Sequence, residues 1–290
     1  MKFALKNPRA VFAALAFTLC VSFVAAASQP APDSARKDTA RKLPFEPTEE
    51  LLYDAEISRA ILRGINVGEM RFTAGRAETP KAQPKNGTVP LRFTVEAVSK
   101  GLLRKLFGLN FLLHVESTVE PTSFAVMQTT KLDEQGKRKR TSEAVFDAGR
   151  VVWTERDPTD PNREPRVVTN ETKGAVQDIA SVFYYLRTQP LELGQKFEVQ
   201  VSDSGNVFNV AVVVSEKKKM KTVLGQVQTL KVEADVFGEG RLIRGKGKLA
   251  IWFTADSRHV PVRAKINNEL GTLDIKLKRM TTGPAALARN

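Results

Sequence analysis

Cysteine is almost absent from this chain. The only one, Cys20, sits in an apolar run, Ala10 to Ala25. Lys2, Lys6 and Arg9 precede that run, and Ala25-Ala26-Ala27 closes it ahead of Ser28. This is the pattern of a cleaved export signal over residues 1–27. The apolar run is too short for a comfortable membrane span, and Pro, Ala and Ser follow it. A lipid-anchored leader needs a small residue directly before its cysteine; here that residue is Leu19. Once the leader is removed no cysteine remains. Disulfides, thiolate metal sites and cysteine nucleophiles are then excluded.

Histidine is scarce as well, with only His114 and His259. His114 alternates with Leu113 and Val115 in a strand pattern, so it reads as an outward or satisfied residue. His259 falls in a turn and reads as solvated. Neither has the H-E-x-x-H spacing of a metal site. No G-x-S-x-G elbow is present, and no S-x-x-K comes with its partner motifs. The sequence therefore supplies no catalytic residues, no metal ligands and no cofactor.

Acid is in deficit. The formal charge is +13, or +10 without the three basic residues of the leader. A basic surface favours anionic partners such as phospholipid head groups, lipopolysaccharide or nucleic acid. Export makes nucleic acid the poorest of these, and a solvated basic surface without a dedicated partner is the plainer reading. The expected location is periplasmic, with secretion as the alternative. Peripheral contact with a membrane is also expected.

Residues 28–44, with Pro30, Pro32 and Pro44, read as a disordered linker. Period-two alternation follows and continues almost to the end. Leu51, Tyr53, Ala55, Ile57 and Ile61 share one strand face. Arg63 to Gly68 reads as a turn, ahead of a strand with Met70, Phe72 and Ala74. Residues 78–88 read as a loop, and Val89 to Ala97 as a strand. Lys100 to Leu109 reads as a helical plug, with an amphipathic surface helix as the sharper alternative. Further strands are expected at Phe111 to Val119, Ser123 to Leu132, Ser142 to Phe146 and Arg150 to Glu155. Asp133 to Arg140 reads as a charged turn, and Asp157 to Pro165 as a surface loop.

The strongest helical stretch is Val176 to Leu186, closed by Arg187. Val176, Ile179, Val182, Phe183 and Leu186 fall on one face, and the other side carries Ser and Tyr rather than rows of charge. A helix apolar nearly all round is buried. Pro190 stops it near Thr188. Lys196 to Val201 and Val207 to Val214 come next, the latter Val-rich on both faces, which suggests a doubly covered central strand. Lys217 to Lys221 reads as a basic tip or edge. The glycines from Gly238 to Gly247 lack the strand–loop–helix context of a phosphate cradle. Strands at Leu249 to Phe253, Val260 to Ile266 and Leu273 to Leu277 complete the pattern, and residues 282–290 read as a frayed tail. The expected fold is mainly β: one domain over residues 45–281, a large curved antiparallel sheet or open barrel of roughly a dozen strands around one core helix.

Three patches carry a resemblance. The first is Phe45 to Gly68, with Glu49, Glu50, Leu52 and Tyr53, then Gly64-Ile65-Asn66-Val67-Gly68. The second is Asp178 to Arg187, followed by Pro190-Leu191 and Gly194. The third is Leu249 to Thr254 with Asp256, Arg258, Pro261, Val262 and Gly271. Together they resemble domain-of-unknown-function family 3108, a family of exported β-rich proteins. One departure is visible: Thr48 stands where glycine usually precedes the glutamate. The resemblance implies a β-rich envelope protein and brings no catalytic residues with it.

Asp178, Ser181, Tyr184, Tyr185, Arg187 and Trp252 are the candidate ligand-contacting residues. Their alternative role is internal: Asp178 capping the helix start and Arg187 matching its negative end. The leading functional expectation is a non-enzymatic carrier of an apolar or anionic, lipid-like envelope component. The alternatives are a scaffold domain docking on an envelope assembly and a hydrolase with an unrecognised site. A hollow sheet interior favours the carrier, and a filled one favours docking.

Overall fold

A computed structural model describes residues 43–59, 62–77, 88–100, 110–269 and 271–283. Eight strands precede the one helix among the described residues: β1 (Glu50–Arg59), β2 (Leu62–Arg76), β3 (Leu91–Ser99), β4 (Phe111–Val119), β5 (Val126–Gln135), β6 (Arg138–Asp147), β7 (Arg150–Arg156) and β8 (Arg166–Glu171). The helix is α1 (Ser181–Arg187). Then come β9 (Lys196–Asp203), β10 (Asn206–Thr222), β11 (Gly225–Ala234), β12 (Gly247–Thr254), β13 (Pro261–Asn268) and β14 (Gly271–Thr281). All fourteen strands form one antiparallel sheet in the order β8 through β1, then β14 back to β9. It is two meanders joined at β1–β14. The expected mainly-β curved sheet around a core helix is what the chain forms.

Alternation sets the faces. In β3 and β4 every second residue is buried, from Leu91 to Ser99 and from Phe111 to Val119. His114 falls on the outer side, 3.9 Å from Glu96. Several local expectations differ from the outcome. Arg63 to Gly68 is not a turn, because β2 runs straight through it. A bulge between Ala55 and Glu56 of β1 absorbs the extra Val67. Gly68 marks a close approach rather than a bend: a Cβ there would lie 2.7 Å from the Val98 carbonyl oxygen. Asp133 to Arg140 is mostly strand, with cross-strand pairs from Asp133↔Arg140 to Gln135↔Arg138 leaving only Gly136 and Lys137 to turn.

Strand β8 was hidden by its polar sequence and mostly exposed residues. Strand β10 buries Val210, Val212 and Val214 but exposes Ala211, so it is not doubly covered. It lies one place from the sheet edge. The expected leader, most of the expected linker and tail, residues 78–87 of the expected loop and residues 101–109 of the expected helical plug lie outside the described residues.

The helix is shorter than Val176 to Leu186 suggests. Gln177 is extended and pairs with β9: its N–H donates to Gln200 O (2.8 Å), and Ser202 N–H donates to its carbonyl (2.7 Å). Val176 O accepts from Val126 N–H (3.1 Å). The segment before α1 thus spans from β5 to the free edge of β9 and covers part of that edge, a common protection for exposed strands.

Two large apolar clusters fill the sheet. One gathers residues from β1 to β5 and β12 to β14 around Ala180 and Tyr184. The other gathers β9 to β12 around Leu186 and Leu191. Both sides of α1 are therefore buried. Phe93 stacks on Tyr184 at 4.2 Å between ring centroids, and Phe45 meets both edge-on at 5.5 and 5.0 Å. Each fully buried aromatic of this kind stabilises by about 2–3 kcal/mol through apolar burial.

Strands β8 and β9 are not paired with each other. The opening is closed by packing: the β9–β10 turn seats on β7 and β8, where Val207 meets the small cluster of Ala144, Val151 and Trp153. Asn170 Nδ2 donates to Gly205 O at 2.8 Å, and Lys131 pairs with Asp203 at 3.5 Å. Gly205 has φ +79°, and a Cβ on it would lie 2.9 Å from both Trp153 Cβ and Val168 Cβ. Gly205→Ala is expected to lower stability by about 2–4 kcal/mol, combining left-handed strain and overpacking. At Gly136, with φ +62° and open space around it, the same change should cost only about 1–2 kcal/mol. Urea unfolding of both variants checks the difference; equal losses would refute the packed closure.

Candidate functional site

The polar residues of the second patch are organised by a reciprocal cap. Asp178 Oδ1 accepts from Ala180 N–H (3.0 Å) and Ser181 N–H (2.8 Å), and Asp178 N–H donates to Ser181 Oγ (2.9 Å). This is a capping box with aspartate leading and serine three residues on. Val182 N–H reaches back to Asp178 O at 3.0 Å, so the first helical hydrogen bond starts there although regular helix begins at Ser181. Asp178 Oδ2 accepts from the hydroxyls of Ser117 on β4 and Thr129 on β5. Its carboxylate therefore ties the helix start to the sheet. The Asp-x-x-Ser spacing was readable in the sequence and marks the true helix start.

Arg187, at the other end of α1, has a side chain 0% exposed, and the carboxylate it meets, on Glu49, is 1% exposed. The two form a bidentate pair: Nη1 donates to Glu49 Oε1, and Nη2 to Oε2 at 3.0 Å. Nη2 also donates to Pro44 O (3.0 Å), and Nε to Arg258 O (3.0 Å). Phe45 and Tyr184 flank the guanidinium, 5.3 and 5.6 Å from its carbon to the ring centroids. His259 is held rather than freely solvated, with Nδ1 3.0 Å from Arg187 O. Glu49 and Pro44 were not singled out as site residues. Their signal was that Glu49 and Arg187 each fall in a family-resembling patch, and a buried arginine requires a carboxylate.

Tyr184 lies beside this pair. Its hydroxyl is buried without a hydrogen-bond partner among the described residues. Burial first, and then the Glu49 charge, hold its pKa well above the ordinary tyrosine value. Tyr53 is also pushed up by burial, and its hydroxyl donates to Pro261 O at 2.7 Å. Both phenols stay neutral at physiological pH. A cavity of about 40 Å³, lined by Tyr53, Phe72, Phe183, Tyr184 and Arg187 among others, remains here. That is room for a few waters and not for a lipid. Tyr185 is half-buried and joins both apolar clusters.

Trp252 is not part of that cavity. It alternates with Ile251, which lines it, and so occupies the other face of β12. Trp252 is 7% exposed, its indole N–H has no partner among the described residues, and Lys218, Lys231 and Arg263 surround the ring at 5.3 to 6.0 Å. Each cation is paired with an acid: Glu216, Glu233 and Asp274. Burial works against the Asp274 charge, yet the hydrogen bonds and field of Arg263 hold its pKa below the usual aspartate range.

A larger hollow lies elsewhere. A groove of about 680 Å³ opens at the rim where β9 to β12 meet the segment after β11. Phe197, Val212, Ala234, Val236, Phe237 and Leu249 line it, and Lys196, Lys248, Glu198, Glu233 and Asp235 give it a mixed-charge border. The Phe237 ring lies over Gly247, where a Cβ would come within 2.6 Å of it. Among the described residues no group of three or more His, Cys, Asp or Glu is placed to hold a metal ion. No helix among them is long and apolar enough to cross a membrane.

A curved, nearly closed antiparallel sheet with a short helix inside defines a β-barrel-like protein. The same fold appears in the crystal structure of a beta-barrel-like protein of domain of unknown function DUF1849 from Brucella abortus. The match has a TM-score of 0.54 and 10% identity, and covers 81% of this chain and 97% of that one. Residues 53–278 match the family described as Protein of unknown function (DUF3108), and the chain belongs to that family. No functionally curated protein is detectably similar.

Removing one partner of the Arg187–Glu49 pair strands a buried charge. Arg187→Met or Glu49→Gln is expected to cost about 3–5 kcal/mol. The double variant Arg187→Met/Glu49→Gln should lose less than the sum, with a coupling of about 1–3 kcal/mol. Additive losses in urea titrations would show the pair to be incidental. Tyr184→Phe removes an unpartnered hydroxyl and should leave stability unchanged or raise it by about 1 kcal/mol; a marked loss would mean that the hydroxyl is bonded, for example to a cavity water.

Proposed function

We propose that this protein is a non-enzymatic envelope binding protein that holds an apolar, lipid-like component in the β9–β12 rim groove. The observation that carries this reading is the groove itself. It combines a hollow of about 680 Å³ with an apolar lining and a mixed-charge border, a concave, largely apolar shape of the kind small molecules occupy. Its border holds two lysines against three acids, so the groove favours the apolar part of a ligand over an anionic head group. The ligand place is therefore the β9–β12 rim rather than the surroundings of α1. For Arg187 to grip an anion, Glu49 would first have to leave it.

A docking module is the second reading, favoured by the sheet interior being filled around α1 and by the free edge of β8. That edge exposes Val167 and can accept an added strand. The hydrolase alternative would need Asp178, Tyr184 and Arg187 to line an open cleft, and all three are buried.

Native mass spectrometry of protein purified from an envelope fraction tests the carrier. The expected result is a bound apolar molecule recovered on organic extraction. A folded Phe237→Asp variant should lose it. A bare protein mass with an empty extract would overturn the carrier reading. One reproducible protein partner in crosslinked cells, with no lipid, would favour docking.

A further inference from the structure

The core ends before the β10–β11 hairpin does. Near the body, Val210, Val212 and Val214 of β10 point into the second apolar cluster. The register with β11 then shifts between Val214 and Glu216, leaving Ser215 as an extra residue. A bulge of this kind reverses the alternation beyond it. Lys217, Lys219 and Lys221 therefore take the side the valines held, opposite Leu230, Gln228 and Gln226. Without the bulge, Glu216, Lys218 and Met220 would stand there.

All three lysines are exposed. Among the described residues none of them enters an ion pair, whereas Lys218 on the opposite side is paired with Glu216 and lies over Trp252. Met220 and Leu224 pack on the body, so one side of the arm is anchored and the other is presented. From Ser215 to Thr229 the arm carries four lysines and one glutamate. At its tip Val223 is 54% exposed.

We propose that this arm docks the protein on an anionic phospholipid bilayer. Lys217, Lys219 and Lys221 meet the head-group phosphates while Val223 enters the acyl boundary, with the lysine stems lying along the apolar surface. The charge is complementary to such a surface, and the apolar tip distinguishes a bilayer from a merely polyanionic partner. A groove for single-stranded nucleic acid would instead offer stacking aromatics, and the arm has none. This surface is separate from the rim groove, so it stands whether or not the groove holds a ligand.

Flotation of the mature protein with phosphatidylethanolamine vesicles, containing or lacking phosphatidylglycerol, tests the proposal. Binding is expected only with phosphatidylglycerol and should weaken in high salt. The variant Lys217→Gln/Lys219→Gln/Lys221→Gln changes only exposed side chains and should partition about 100-fold less, at about a tenfold loss for each 1.4 kcal/mol. Val223→Asn, which adds no charge, should weaken flotation yet leave retention on heparin unchanged. Circular dichroism confirms that both variants are folded. Failure of the wild type to float, flotation of the triple variant equal to wild type, or flotation of Val223→Asn equal to wild type would each overturn bilayer docking.

Discussion

The buried pair of Arg187 and Glu49 is the constraint on which the rest of this architecture depends. A guanidinium out of water is costly unless its donors are matched. Here the matches come from two distant parts of the chain: Glu49 and Pro44 before β1, and Arg258 in the β12–β13 turn. Only one arrangement of those segments satisfies the charge. Apolar packing tolerates small slips, but a bidentate ion pair does not. The pair therefore fixes how the helix sits against the two meanders, and the aromatic stack of Phe45, Phe93 and Tyr184 fills in around it.

At the other end of the helix Asp178 has the same role in milder form. Two backbone amides and two hydroxyls from separate strands converge on one carboxylate. Both ends of a seven-residue helix are thus bolted to the sheet by charge. A helix this short has little stability of its own. Its position comes from these bonds and from burial on both sides, which makes it a part of the core rather than a mobile element.

Much of this was legible in the sequence. Alternation from Leu51 onward identifies a meander, and β3 and β4 keep a strict period of two. The glycines at 64 and 68 misled because a bulge and a close backbone approach use the same residue as a turn. Strand β8 stayed hidden because a polar edge strand lacks the one-sided apolar pattern that burial imposes. The helix was overextended because Val176 and Ile179 fit a helical face while Gln177 is engaged in a β-bridge, a tertiary preference no local period reveals. Arg187 and Asp178 stood out as charges within an apolar stretch. Their partners Glu49, Ser117 and Thr129 lie 49 to 138 residues away, and only the folded chain brings them together.

The join between β1 and β14 has a consequence for how the molecule comes to exist. Strand β1 is an inner strand, yet its second neighbour is the last strand of the chain. Until residues 271–281 arrive, one whole side of β1 has its backbone groups unmet and part of its apolar face bare. A chain delivered from its N-terminus onward, by a ribosome or through a pore, therefore cannot complete its central ladder early. Such late closure makes folding slow and leaves a sticky edge in the meantime. For a protein of this topology, keeping the unfinished chain apart from its own kind matters as much as the stability of the finished one.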